Sequence, residues 1–271
     1  MRLADRLKEL RGGRAPIVVP YLMVDRARVG NIERTVRALR DGGASALELG
    51  FPFSDPIADG PVLEAAAGRA LRHGTGWKDL LRACRRASPV LPTAVMTYAN
   101  PVWQEGLADG LHDLASAGAS GLIVPDLPFE ESPPFRTAAR AARLDLVLLA
   151  APGSPPARTR ALARASRGFL YLVSRYGTTG SRSGAGAVDL APIVRTAHEA
   201  APSLPVLVGF GVRDRATAAA ALRSGADGVV IGTALEERLD AGTTPDGLRR
   251  WLRSIAAPEN VRTADERIEG R

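Results

Sequence analysis

Eight short apolar runs recur along the 271-residue chain, and segments with helical patterning lie between them. Each run has the length of a strand and is bounded by Gly, Pro or polar residues. The runs are residues 16–23, 46–51, 93–98, 121–125, 146–151, 169–174, 205–210 and 228–231. Alternating strands and helices predict a parallel sheet, and near-continuous apolar strands predict that both of its faces are covered. Eight such units favour closure into a single (β/α)8 TIM barrel over an open doubly wound sheet.

Helices are predicted where apolar residues recur at helical spacing between the runs. They include residues 32–39, 107–117, 133–142, 157–165 and 216–224. An extra N-terminal helix over residues 2–10 is expected to plug the bottom of the barrel. We expect residues 1–258 to form one domain and the polar residues 259–271 to be a disordered tail. The last four residues, IEGR, match a protease-cleavage sequence of recombinant proteins, so no functional role is expected for the tail.

Composition argues against several classes of partner. The formal net charge is +7, but the arginines are spread over nearly every predicted helix and interleaved with acids. This pattern indicates a solvated basic surface rather than a nucleic-acid interface.

Cys84 is the single cysteine, which excludes an intramolecular disulfide, and it is predicted to be structural. The N-terminus is charged and no run approaches about 18 apolar residues, so we expect a cytoplasmic protein without a membrane segment.

Lysine and histidine are scarce, which limits the chemistry. Lys8 lies in the N-terminal helix and Lys78 begins a surface helix, so neither is expected to form a Schiff base or to hold pyridoxal phosphate. His73, His112 and His198 belong to no close cluster of ligands, so no metal is expected. If the chain is an enzyme, its catalytic groups are therefore predicted to be mainly carboxylates and hydroxyls.

Glu48 interrupts the second apolar run. Strand alternation points it into the barrel with Ala46 and Gly50, while Leu47 and Leu49 face the helices. Burying a lone carboxylate costs on the order of several kcal/mol unless it is hydrogen-bonded, protonated or wetted by a site. Glu48 is therefore either a hydrogen-bonded core residue or a site residue, whose raised pKa would suit proton transfer near neutrality.

The segment that follows, residues 51–61, is too long and too rich in Pro and Asp for a simple strand-to-helix turn. It is predicted to be an active-site loop, since active sites of barrels lie at the carboxyl ends of the strands. Asp59 precedes Gly60 and Pro61, so it is either a cap of the next helix or a second acidic group of the site.

Glycines follow three of the later runs, at residues 176–180, 209–211 and 232–233. In barrels the last two loops frequently bind phosphate through backbone N–H groups and a short helix. Their joint placement predicts a phosphorylated ligand.

The segment LELGFPFSDPIADGP, residues 47–61, resembles the signature of the tryptophan synthase alpha subunit family. Similar segments follow in the family's order at residues 98–101, 125–128, 130–132, 171–175, 177–180 and 209–211. The resemblance implies a lyase that cleaves indole-3-glycerol phosphate to indole and glyceraldehyde 3-phosphate in tryptophan biosynthesis. It also implies a beta-subunit partner in an alpha2beta2 heterotetramer. Pyridoxal phosphate would belong to that partner, so no cofactor is expected in this chain.

The resemblance implies that Glu48 transfers protons and that Asp59 interacts with the indole nitrogen. This division of roles makes chemical sense, because the carbon–carbon bond breaks only after indole C3 has been protonated. Other site residues follow by the same resemblance. For the substrate they are Tyr21, Met96, Tyr171 and Thr179, the last on the loop that closes over it. For the phosphate they are Gly180, Gly211, Gly232 and Thr233, and for the contact with the beta subunit they are Pro52 and Asp55.

Two segments depart from the family's pattern. Residues 22–27, after the first run, lack the usual Gly and Pro, and residues 181–186 are unusually small and flexible. The first departure lies near the rim that contacts the partner. A stand-alone lyase that releases indole and a catalytically weak barrel kept as a binding or activating subunit therefore stay open as alternatives. A sugar-phosphate isomerase would share the phosphate glycines but lack the long loop motif.

Overall fold

The structure is a computed structural model of the chain and describes residues 2–173, 189–209 and 211–257. Eight parallel strands close a barrel in chain order. They are β1 (Ile17–Met23), β2 (Leu47–Gly50), β3 (Thr93–Met96), β4 (Gly121–Ile123), β5 (Asp145–Ala150), β6 (Leu170–Val173), β7 (Val206–Gly209) and β8 (Gly228–Ile231). The predicted TIM barrel is confirmed, and each predicted run contains one strand to within a residue or two.

Helices cover the outside of the barrel, and the first of them covers its bottom. They are α1 (Leu3–Leu10), α2 (Arg26–Val29), α3 (Ile32–Asp41), α4 (Pro61–Arg72), α5 (Trp77–Ala87), α6 (Ala99–Gln104), α7 (Leu107–Ser116), a 3-10 helix (Phe129–Glu131), α8 (Ser132–Ala141), α9 (Pro156–Ala165), α10 (Ala191–Ala200), α11 (Arg215–Leu222), α12 (Thr233–Asp240) and α13 (Pro245–Ala256). The six helices whose bounds were predicted agree to within two residues at each end. The short α2 lies in the loop after β1 and was not predicted.

The strands divide the core into two layers. Inward side chains such as Ile17 and Val19 fill the barrel, and outward ones such as Leu47 and Leu49 pack against the helices. Ala46 belongs to the inner layer, so Glu48, two residues on, points into the barrel as predicted. Cys84 is fully buried in the outer layer, and burial raises the pKa of its thiol to about 12.

Helix α1 closes the bottom of the barrel. Leu3 and Leu7 are fully buried in the inner layer. A Cβ atom at Gly121 or Gly168 would lie 2.7 or 2.9 Å from the Leu3 side chain, so the glycines make room for it. The Asp145 carboxylate accepts the Ala4 backbone N–H at 3.0 Å and anchors the helix to β5. The predicted plug is confirmed.

Residues 258–271 lie outside the described part of the chain, so the domain limit at 258 and the disordered tail stay predictions. Among the described helices, none combines the length and the apolar character that crossing a bilayer requires.

Candidate active site

One cavity at the carboxyl ends of the strands brings together most of the predicted site residues. The predicted residues that line it are Tyr21, Glu48, Asp59, Met96, Tyr171, Gly211, Gly232 and Thr233. Leu63, Val212 and Val230 complete the wall and were not predicted. Thr179 and Gly180 lie outside the described residues, as do residues 181–186. Residues that are far apart in sequence thus meet at the end of the barrel where catalysis occurs in this architecture.

Strand β2 fixes the position of Glu48. Its Cα is in register with Tyr21 of β1 and Ala94 of β3, and its side chain is fully buried. Among the described residues, neither carboxylate oxygen has a hydrogen-bond partner, which argues against a structural role as a hydrogen-bonded core residue. Burial first, and the negative charge of Asp59 second, raise the pKa of Glu48 from 4.5 to about 8. The group is therefore a carboxylic acid at neutral pH.

Asp59 lies near the end of the active-site loop, residues 51–61, whose last residue begins α4, and Asp59 is 4% exposed. Gly60 is the N-cap of α4, and no side chain caps that helix, so Asp59 is not its cap. Burial raises the pKa of Asp59 from 3.8 to about 6, while the Tyr98 hydroxyl beside it lowers the value and the charge of Glu64 raises it. Asp59 is therefore mainly ionised at neutral pH, in contrast to Glu48.

Tyr98, which follows β3, holds the active-site loop. Its hydroxyl accepts the backbone N–H of Ala58 at 3.0 Å, and its ring stacks on Phe53 with centroids 5.1 Å apart. The hydrogen bond holds the residue that immediately precedes Asp59. The sequence placed Tyr98 in a family-like segment, but nothing in the pattern indicated this contact, because it depends on how the loop folds back over β3.

Two glycines at strand ends make room for the tyrosines of the cavity. A Cβ atom at Gly50 would collide with the Tyr21 ring, and one at Gly209 would collide with the Tyr171 ring. Burial first, and then the nearby carboxylates, raise the pKa of both tyrosines, so both keep neutral hydroxyl groups. The two rings therefore form uncharged walls beside Glu48.

Residues that follow β7 and β8, namely Gly211, Gly232 and Thr233, also line the cavity. Gly211 has a positive φ of 89°, a conformation that suits glycine, and Gly232 is the N-cap of α12. Thr233 is the first residue of that helix. A helix N-terminus with free backbone N–H groups attracts anions, so the start of α12 suits a phosphate group.

Comparisons with known proteins agree with this geometry. The family profile described as "Tryptophan synthase alpha chain" matches residues 7–258. The chain belongs to the tryptophan synthase alpha chain family. The tryptophan synthase alpha chain of Picosynechococcus sp. is 39% identical over 250 residues, which cover 91% of this chain and 93% of the relative. That of Methanosarcina mazei is 38% identical over 259 residues and covers 93% of each.

Solved structures give the same answer. A chain of Mycobacterium tuberculosis tryptophan synthase superposes with a TM-score of 0.84 and 37% identity, covering 95% of this chain and 97% of that chain. Tryptophan synthase subunit alpha from Legionella pneumophila superposes with a TM-score of 0.80 and 28% identity, covering 94% of this chain and 97% of that chain. The resemblance seen in residues 47–61 is therefore confirmed as family membership.

Proposed function

We propose that this chain cleaves indole-3-glycerol phosphate with Glu48 as the proton-transferring group and Asp59 as the carboxylate that binds the indole nitrogen. The products are indole and glyceraldehyde 3-phosphate, and the reaction is the carbon–carbon lyase step of tryptophan biosynthesis. The observation that carries the residue assignment is the pair of buried carboxyl groups on one cavity, with pKa values raised to about 8 and about 6.

The difference between the two pKa values assigns the roles. Near pH 7 the Glu48 carboxyl is protonated and can give its proton to indole C3, while the ionised Asp59 accepts the ring N–H and stabilises the positive charge that develops there. The Glu48 carboxylate then takes the proton of the side-chain hydroxyl as a carbonyl forms and the carbon–carbon bond breaks. The bonding electrons return to the ring, and Glu48 ends the cycle protonated, as it began.

The walls of the cavity suit the rest of the substrate. Tyr21, Met96 and Tyr171 offer apolar faces to the indole ring, and Gly211, Gly232 and Thr233 offer backbone N–H groups and a hydroxyl to the phosphate. Thr179 and Gly180 are assigned to the loop over the substrate and to the phosphate on the family's pattern.

A beta subunit that carries pyridoxal phosphate is the proposed partner, and this chain needs no cofactor of its own. The likeness to Mycobacterium tuberculosis tryptophan synthase supports the pairing. Ile57 and Trp103 are 72% and 52% exposed on the rim that carries the active-site loop, where such apolar side chains suit a protein partner. Asp55 is exposed on the same loop, whereas Pro52 is buried and would support the contact from beneath. A cytoplasmic location fits this biosynthetic role.

The cleavage proposal is tested by incubating the pure full chain with indole-3-glycerol phosphate and measuring indole. We expect wild type to release indole and Glu48→Gln to be slower by about 10²–10⁴-fold, the usual contribution of a general acid. Glu131→Gln, at an exposed position, is the matched control and should keep full activity. Retention of most activity by Glu48→Gln would remove Glu48 from the mechanism.

The partner proposal is tested by mixing the chain with a cognate beta subunit. We expect a complex and faster cleavage, and we expect Trp103→Gln to weaken binding about tenfold while the isolated chain keeps its rate. High turnover by the isolated chain, with no complex formed, would favour the stand-alone lyase. Residues 22–27, which depart from the family's pattern, keep that hypothesis open. An unchanged affinity for Trp103→Gln would place the interface elsewhere.

A further inference from the structure

A further buried carboxylate, which does not belong to the catalytic pair, lies just behind the cavity. Glu236, in the first turns of α12, is fully buried and does not line the cavity. Its Oε1 accepts the backbone N–H of Met23 in β1 at 2.7 Å, and its Oε2 lies 3.2 Å from Nη1 of Arg28 in α2. Arg28 also donates to Asp240 at 2.7 Å. Glu236 thus joins three elements, β1, α2 and α12.

The end of β8 explains why a carboxylate is needed there. The pairing of β1 with β8 stops at Pro20 and Ile231, where the chain of β8 turns away into α12. The N–H of Val24 donates to Gly50 of β2 at 2.8 Å, so the alternation of the strand points the N–H of Met23 to the side that β8 has left. A buried N–H without an acceptor is costly, and the Glu236 side chain supplies the acceptor.

We infer that Glu236 is a positioning residue that holds the phosphate-binding turn, Gly232 and Thr233, against the end of β1. The inference rests on the proposed function, which places the substrate phosphate at this turn. The backbone N–H of Glu236 donates to the Gly232 carbonyl at 3.1 Å, while its side chain binds Met23. One residue therefore ties the turn to the strand that carries Tyr21, and a Cβ atom at Gly232 would lie 3.5 Å from that tyrosine's Cβ.

Charge explains the role of Arg28. A buried carboxylate close to a bound phosphate repels it unless a cation compensates, and Arg28 provides that cation. Burial raises the pKa of Glu236 to about 7, whereas the Met23 N–H and Arg28 favour the ionised form.

The test separates the phosphate end of the substrate from the indole end. The full chain is compared with Glu236→Leu and Glu236→Gln, using indole-3-glycerol phosphate as substrate and glycerol 3-phosphate and indole as separate competitive inhibitors. In Glu236→Leu we expect KM and the inhibition constant of glycerol 3-phosphate to rise about tenfold, while the inhibition constant of indole and kcat change less than about threefold. Glu236→Gln keeps an acceptor for Met23 and should show a smaller rise.

Glu237→Gln is the matched control, since Glu237 is the next residue of α12 and its ion pair with Arg213 is on the surface. It should leave every constant unchanged. An unchanged inhibition constant of glycerol 3-phosphate in folded Glu236→Leu, or an equal rise for indole, would overturn the inference. If Glu236→Leu does not fold, the inference would be overturned by an inhibition constant of glycerol 3-phosphate in Glu236→Gln that equals the wild-type value. Failure of the proposed function looks different, because wild type itself would then release no indole.

Discussion

Replacing Glu48 with Gln should stabilise the folded chain, and the gain should grow as the pH rises. In the folded state burial holds the pKa of Glu48 near 8, compared with 4.5 for the unperturbed group. Folding therefore takes up a proton at any pH between these two values. The contribution of Glu48 to stability is most favourable below the unfolded-state pKa and is lost as the pH rises toward the folded-state pKa. Gln carries no such proton and is free of this dependence.

The magnitude follows from the two pKa values. Each pH unit in this window changes the free energy of unfolding by about 1.4 kcal/mol, less near its edges, so the advantage of Glu48→Gln should widen by about 2–3 kcal/mol between pH 5 and pH 7. The difference in unfolding free energy between variant and wild type is compared at two pH values. Effects of the amide that do not depend on pH, such as its packing, cancel in this comparison.

Urea unfolding followed by circular dichroism, at pH 5 and pH 7, measures the effect. Glu131→Gln, in an exposed position, serves as the control and should leave the stability unchanged. An advantage of Glu48→Gln that is equal at the two pH values would refute the reasoning, because it would mean that burial does not hold the carboxyl in its protonated form.

Three further predictions concern the walls of the site and the core. Gly50→Ala should destabilise the fold by about 1–3 kcal/mol and reduce kcat, because the new methyl group collides with the Tyr21 ring. Gly30→Ala is the control, since the added methyl group has open space around it, and it should change neither the stability in urea nor kcat. Tyr98→Phe should shift the acid limb of the kcat/KM profile to higher pH, because the Tyr98 hydroxyl lowers the pKa of Asp59 and its removal lets that pKa rise. An acid limb at the wild-type pH would contradict an interaction between Tyr98 and Asp59. Cys84 should resist a thiol reagent in the native chain and react after unfolding, because it is fully buried with a raised pKa; rapid native reaction, followed by absorbance, would contradict this.

The sequence predicted the barrel and the inward direction of Glu48 because both follow from local periodicity. A strand alternates its faces every residue, so a carboxylate between two outward leucines must point into the barrel. The role of Asp59 stayed open between a helix cap and a site residue, since both readings fit an aspartate before Gly-Pro. The fold decided against the cap, because Gly60 occupies that position.

Glu236 shows what local patterns cannot predict. In the sequence Leu235-Glu236-Glu237-Arg238 it looks like one of several charged residues on a surface helix. It is buried because β8 ends before β1 does, and the relative lengths of two neighbouring strands are set by how the barrel closes. The contact of Tyr98 with the active-site loop has the same origin, since it joins residues 40 positions apart.

The pH dependence of kcat/KM for cleavage of indole-3-glycerol phosphate tests most directly whether two carboxyl groups in opposite protonation states perform the reaction. We predict a bell-shaped profile that rises as Asp59 ionises near pH 6 and falls as Glu48 loses its proton near pH 8. The substrate phosphate also ionises near pH 6 and could by itself produce a rising limb. In Asp59→Asn the residual activity should show no rising limb, which would assign that limb to Asp59 rather than to the phosphate. A rate that keeps rising above pH 8 would contradict the account, because Glu48 would then act without the proton that it is proposed to deliver.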